Sequence, residues 1–516
     1  MPFKALNHQR KEETGHSYTY SHTTKHLTLL TKSKRSQSAL EYMMTYGWAI
    51  LIIVIVAVIL YSMGIFNPSS SVTFTSSGFA PFTVSSSLCN NLGYKIAVIA
   101  GPLPNNANSL TISKVFLTSA TGANATTSSY TLTNPVTLKS GQSATILIPT
   151  VACNAANVHY SMSANIEYSY TVPTIGLQTI NTTGTVAGTS IAGKPSVLTA
   201  YEPVTVTNSQ SSSTPSPFQQ MVNFTSLDSG WTSISTSNFG QNVEFFYYNG
   251  TVIPSWLESY TSSYAIWWLK IAAIPAGSSE TVYVGFAPAT TNLFNTVNDG
   301  EAPQLTCSNP SDTASCSTYA EYDNGANVFN NYWNFAGTVL PNGWYLIGTV
   351  SVVVSNGLIA PSGPGSGAAY NLSSSPLGIL EIYNNQTSGE TAGFSNVGLD
   401  NSSLGEGLLW MELNSQPTVI SSAYLFPGSI NPLTPYEPTN IYAVTGVHYK
   451  NSDVTWYYND QAVQTYNSNT NQILRSIMIY NGGGSSGGDQ ISVKWVRVRA
   501  YPPNGVMPSV SFGSVA

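Results

Sequence analysis

From Gly47 to Phe66 the chain runs for 20 residues without a charge, in the stretch "GWAILIIVIVAVILYSMGIF". As a helix rising about 1.5 Å per residue, this run matches a hydrocarbon layer about 30 Å thick. A removed secretion signal has an apolar core of about 7–15 residues followed by a small-residue cleavage site. The run is longer than that and leads into Asn67-Pro68, so it predicts a retained membrane anchor. Tyr42, Tyr46 and Trp48 near one end and Tyr61 near the other suit the two interfaces.

Charge orients the anchor. Seven of the 17 Lys and Arg lie within residues 1–36, and beyond Phe66 ten basic residues face 20 acidic ones. A basic flank stays on the cytoplasmic side. The expected protein is therefore a single-pass protein of the cell membrane, with residues 1–36 as a basic cytoplasmic leader and the C-terminal region outside. The outer region has no basic cluster, which excludes nucleic acid as a partner. Only 8% of the chain is charged while 11% is aromatic, a composition that suits an extracellular β protein and argues against disorder.

All four cysteines, Cys89, Cys153, Cys307 and Cys316, follow the apolar run. On the oxidising side they predict two disulfides. Three connectivities are open, and the local pairs Cys89–Cys153 and Cys307–Cys316 are favoured. No CxxC spacing points to zinc or redox chemistry.

Glu41 stands at the mouth of the apolar run. The segment "RSQSALEYMMTYGWAIL" resembles the class III signal peptide of archaeal type IV pilin-like proteins. The resemblance implies cleavage after Ser36, Gln37 as the new N-terminus, residues 37–67 as a pilin-like transmembrane helix, and Glu41 as the fifth mature residue. In such proteins that glutamate pairs with a neighbouring subunit's new amino group, so pilin-like subunits are expected partners. Ala39 and Ser36 depart from the usual residues of the pattern. A plain uncleaved anchor, with Glu41 resting in the headgroup zone, is the competing reading.

Beyond the anchor the chain reads as mostly β, in tandem sandwiches. Runs such as "GYKIAVIAG" and "VHYSMSANIEYSYTV" alternate or are rich in β-branched and aromatic residues. They predict an immunoglobulin-like sandwich as a spacer over 68–204, followed by a Ser/Thr/Pro linker over 205–216. In residues 217–298, Asn249-Gly250 marks a hairpin turn. Strands are expected at 243–248, 264–271 and 280–286. Trp256-Leu257-Glu258, then Trp267-Trp268-Leu269-Lys270, then "IPAGSSETVYVGF" resemble the domain of unknown function 2341 family, and this likeness continues to about residue 340. Residues 299–516 are similar to concanavalin-A-like (laminin-G-like) jelly rolls, especially those that end in a "WVRVR" strand. Period-2 reading of that strand puts Trp495, Arg497 and Arg499 on one face and Val496 and Val498 on the other. Asn459-Asp460 marks another hairpin.

Catalytic signals are sparse. His159 and His448 are the only histidines beyond the anchor, and no nucleophile elbow stands near a base. Glu381 and Glu412 are each alone on their strands, short of the carboxylate pair a glycosidase needs. The expectation is a protein that is not an enzyme and needs no cofactor. Calcium is the exception the sequence allows for: "EYDNGANVF" places Asp323 and Asn324 in a tight turn, where oxygen ligands gather in laminin-G-like sandwiches. A plain Asp-Asn-Gly turn is the simpler reading. Surface glycans are the expected partner, stacking on Trp333, Trp344, Trp410 and Trp456, although each tryptophan is also a natural core residue. Seven N-x-S/T sequons fit a glycoprotein. The whole reads as a membrane-anchored, pilin-like or adhesin-like surface protein with a distal lectin-like module. A surface glycan hydrolase built on the jelly roll is the alternative.

Overall fold

The computed structural model describes residues 34–62, 74–123, 128–153, 155–348, 352–361, 365–373, 378–387, 395–400, 407–413, 416–426, 429–450, 453–467, 474–482 and 490–516. The chain divides into two units, Met1–Ser71 and Val72–Ala516.

The described residues of the first unit form the helix Lys34–Ser62. Ser36, Gln37 and Glu41 fall on it, and their side chains lie outside the described residues. Side chains 42–58 are all exposed, among them Trp48, Ile53 and Val58. Among the described residues no helix is long and apolar enough to cross a membrane. The expected transmembrane helix over 37–67 is thus not found among the described residues, and the end of the apolar run lies outside them.

The second unit is β structure arranged as three two-sheet sandwiches. In the first, the sheet Thr75–Gly78, Gly176–Thr189, His159–Val172, Leu110–Thr121, Ser128–Leu138 packs on the sheet Phe82–Asn90, Gly93–Ala100, Ser143–Ile148. The strand His159–Val172 shows why. Tyr160, Met162, Ala164, Ile166, Tyr168 and Tyr170 alternate inward along it and enter one core. Cys89 and Cys153 are bonded, fully buried at the edge of that core.

The middle sandwich is discontinuous in sequence. One sheet runs Phe218–Thr225, Tyr264–Ile271, Ser255–Tyr260, Asp299–Glu301; the other runs Val243–Phe246, Ser278–Phe286, Ala200–Asn208, Ser509–Phe512. Two expected boundaries move in consequence. Residues 200–208 form a strand, because Val204 and Val206 alternate into this core, so the Ser/Thr/Pro linker begins later than residue 205. The end of the chain also leaves the jelly roll and joins this sandwich, Val510 pairing with Val206. The expected hairpin forms, with Tyr247 N–H bonded to Thr251 O and Gly250 at φ 79°.

The jelly roll lies between those two halves. An eight-stranded sheet centred on Gln490–Ala500 and Gly378–Thr387 packs on a seven-stranded sheet that includes Ser366–Asn371 and Ser476–Asn481. Leu380, Ile382, Val496 and Val498 fill the space between them. The opposite face of Gln490–Ala500 is buried as well, against the middle sandwich. Cys307 and Cys316 are bonded in the segment that leads into the jelly roll.

Candidate functional site

The strand Gln490–Ala500 sends Trp495, Arg497 and Arg499 away from the jelly-roll core, as its alternation predicts. They meet Trp256 and Trp268, presented by the middle sandwich, and Phe329, which precedes the strand Asn331–Trp333. Adjacent tryptophans divide the labour there: Trp267 points into the middle core and Trp268 toward this seam. Arg497 is completely buried and makes three ion pairs, to Glu381 at 2.7 Å, to Asp460 at 2.8 Å and to Glu258. Arg499 pairs with the other oxygen of Glu381 at 2.8 Å.

Three carboxyls face two guanidiniums, and burial, then Glu258, push the Asp460 carboxyl well above the usual range. Burial alone would raise Glu381, but the two arginines outweigh it and hold it down. Asp460 also occupies the hairpin turn, at φ 64° beside Asn459 at φ 45°. This seam is sealed from solvent and joins two sandwiches.

An open cleft of about 600 Å³ lies near one end of the jelly roll. Five separated segments build it: Pro215–Pro217 ahead of the strand Phe218–Thr225, Asn330 and Asn331, the strand end Tyr370–Ser373, Gly378, and Val498, Ala500 and Tyr501 at the end of the strand Gln490–Ala500. Its polar lining is amide and hydroxyl, and no Asp, Glu, Lys, Arg or His takes part in it. The amide of Asn371 is oriented by two donors on its Oδ1, Tyr345 Oη at 3.1 Å and Ser476 Oγ at 2.6 Å. That leaves its N–H groups for a ligand. Asn330 is held likewise, its Oδ1 accepting from Gln219 Nε2 at 3.2 Å. Tyr501 is half-buried and stacks on His448, ring centres 3.6 Å apart. Tyr370 is backed by Trp333 at 4.5 Å and Trp344 at 5.9 Å.

The four tryptophans named from the sequence divide. Trp410 and Trp456 are 1% and 0% exposed within the jelly-roll core, and Trp410 Nε1 donates to Gly446 O at 3.0 Å. A ring enclosed in this way offers no face to a sugar, so both are corrected to core residues. Trp344 is buried too, against Trp333 and Phe335. Trp333 is half-buried and reaches the cleft only through Tyr370. The sequence reading did not select Tyr370, Tyr501, Asn330 or Asn331, and took Asn371 only as one of the seven sequons.

Asp323 is equally committed. Its carboxylate accepts from Asn334 Nδ2 at 2.7 Å, Trp256 Nε1 at 2.9 Å, Tyr332 Oη at 2.9 Å and Gly325 N at 3.0 Å. Asn324 Nδ2 donates to the carbonyls of Ser255 and Asn298. Four donors on one carboxylate leave no room for calcium at Asp323. Among the described residues no group of three or more His, Cys, Asp or Glu is placed to hold a metal.

No family model matches the chain. An uncharacterised protein of Sulfolobus islandicus rod-shaped virus 1 is 28% identical over 355 residues, spanning 60% of this chain and 58% of that protein. The chain thus spans little more than half the length of this relative. Among solved structures, an endo-acting O-glycanase of the human gut microbiota covers 33% of this chain and 99% of its own, at 14% identity and TM-score 0.30. The catalytic domain of an endo-1,3-β-glucanase from Thermotoga petrophila covers 33% and 96%, at 11% identity and TM-score 0.27. A β-glucanase of Bacillus licheniformis covers 33% and 97%, at 14% identity and TM-score 0.27. These neighbours overturn the expectation that the chain is not an enzyme, because the structures sharing a third of it are glycan-cleaving ones. At such identities and scores they transfer no reaction to this chain, and its chemistry rests on its own residues.

Proposed function

We propose that this chain is a membrane-anchored surface protein that engages neutral glycans in the cleft between Tyr370 and Tyr501. The carrying observation is the lining: two tyrosines, three asparagines and several hydroxyls, with no charged side chain. Pyranose rings present apolar C–H faces that suit aromatic side chains, and hydroxyls that suit fixed amides. Neither feature calls for a charge.

The test is a glycan array probed with the detergent-purified full chain, followed by chromatography of each bound oligosaccharide after incubation. Retention on neutral glycans, lost in Tyr370→Ala, supports the reading, and silence across the array sinks it. Release of shorter products would show a glycan-cleaving activity whose carboxyl pair lies outside this cleft. Anchoring rests on the apolar run and its basic flank. N-terminal sequencing of membrane-extracted protein tests its processing: a chain starting at Gln37 supports pilin-type cleavage, and an intact start leaves a plain anchor.

A further inference from the structure

A second cavity, about 440 Å³, opens where the first sandwich, the connecting segment 191–197 and the middle sandwich meet. It shares no residue with the glycan cleft. Its floor carries one carboxylate, Glu244.

The strand Val243–Phe246 explains the placement. Val243 and Phe245 enter the middle core, so Glu244 and Phe246 face the other way, toward the first sandwich. Phe246 packs there with Leu92, Leu198 and Tyr248, and Glu244 is drawn beneath the surface beside it. Only 8% of Glu244 is exposed, and its Oε1 is buried without any hydrogen-bond donor. The ion pairs among the described residues all belong to the Arg497 seam, and none reaches Glu244.

Lys194 is the cation on the lining, and it is engaged elsewhere. Its ammonium donates to Leu198 O, and its backbone N–H to Asn91 Oδ1. The buried Asp299 carboxyl is close enough to feel Glu244 as a like charge. Burial pushes the Glu244 carboxyl above its usual range, and a cation bound at the unpartnered Oε1 would favour the charged form instead.

The lining selects among cations. A calcium ion wants six to eight oxygen ligands, whereas Glu244 is the sole acid here. The remaining wall is largely apolar, with Ala155, Ala156, Ile191, Val197 and Val252. A charged head on a short aliphatic chain fits both features. We infer that this cavity binds a primary alkylammonium group, its N–H donors on Glu244 and its chain along the apolar wall. A free amine and a lysine side chain of another protein share that chemistry.

Calorimetric titration of the full chain tests it, using n-butylammonium chloride, a blocked lysine-containing peptide, and n-butanol as the uncharged control. Saturable binding of butylammonium but not butanol is expected, weakened about tenfold or more by Glu244→Gln, which removes a charge-assisted partner without changing shape. Val252, bridged to Phe246 beside Glu244, also lines the cavity; Val252→Trp fills it and should abolish binding with Glu244 intact, which keeps the inference testable if the first variant fails to fold. Butylammonium bound without the peptide identifies a free amine as the source, and both bound identifies a protein lysine. No saturable binding by either ammonium, or equal binding by Glu244→Gln, overturns the inference.

Discussion

Arg497 and Glu258 form an ion pair across the boundary between the jelly roll and the middle sandwich, 239 residues apart in the chain. Both are buried, and Arg497 is simultaneously bound to Glu381 and Asp460. Removing the guanidinium strands these carboxyls in a sealed, aromatic-lined space. Arg497→Ala should therefore lose about 3–5 kcal/mol in urea unfolding. Arg497→Lys should recover only part of it, since an ammonium lacks the planar fork that reaches three partners.

Asp299 sets a pH dependence. Burial, and then the charge of Glu244, push its carboxyl from 3.8 up to about 8. Between those values the folded chain holds a proton that the unfolded chain has released, so stability falls as pH rises from about 4 to about 8. Asp299→Asn should match the parent at pH 4 and exceed it by a few kcal/mol at pH 8, measured by urea unfolding at each pH. Glu301, raised to about 8 by burial, then by Glu321 and Asp323, should behave the same way as Glu301→Gln.

The two disulfides should differ in worth. Cys89–Cys153 closes a separation of 64 residues and Cys307–Cys316 one of 9. Chain-entropy estimates give ~4 kcal/mol for the first and ~2.5 kcal/mol for the second. Paired Cys→Ser variants, compared by melting temperature, should rank in that order.

Tryptophans and tyrosines of the jelly roll should separate by readout. Trp456→Ala empties part of a core and should cost ~3–5 kcal/mol of stability. Tyr501→Ala should leave most of the stability in place while weakening glycan binding up to about tenfold. Thermal melting and the glycan array together distinguish the two.

The sequence carried the local geometry well. Alternation in "WVRVRA" placed Trp495, Arg497 and Arg499 on one face, and Asn459-Asp460 announced its turn. Both signals are local, because side-chain direction along a strand follows from the backbone alone. What the second face met was not local. Glu258, Glu381 and Asp460 come from three different strands and turns, and nothing in any one of them names Arg497. The same limit hid the cleft, whose lining comes from five separated strand ends and loops, each unremarkable alone. Trp410 and Trp456 misled for a related reason. A strand residue is sealed or open according to what packs on its face, and a sheet between two layers seals both.

The strand Ser509–Phe512 completes a sheet that Ala200–Asn208 begins, and residues 209 to 508 come between. At ordinary synthesis rates that interval lasts about 15–60 s. Throughout it, one edge of Ala200–Asn208 has no strand beside it, the condition that invites wrong pairing between nascent chains. The middle sandwich starts before the jelly roll and finishes after it, so on the ribosome the usual order of completion, front domain first, is inverted for this pair.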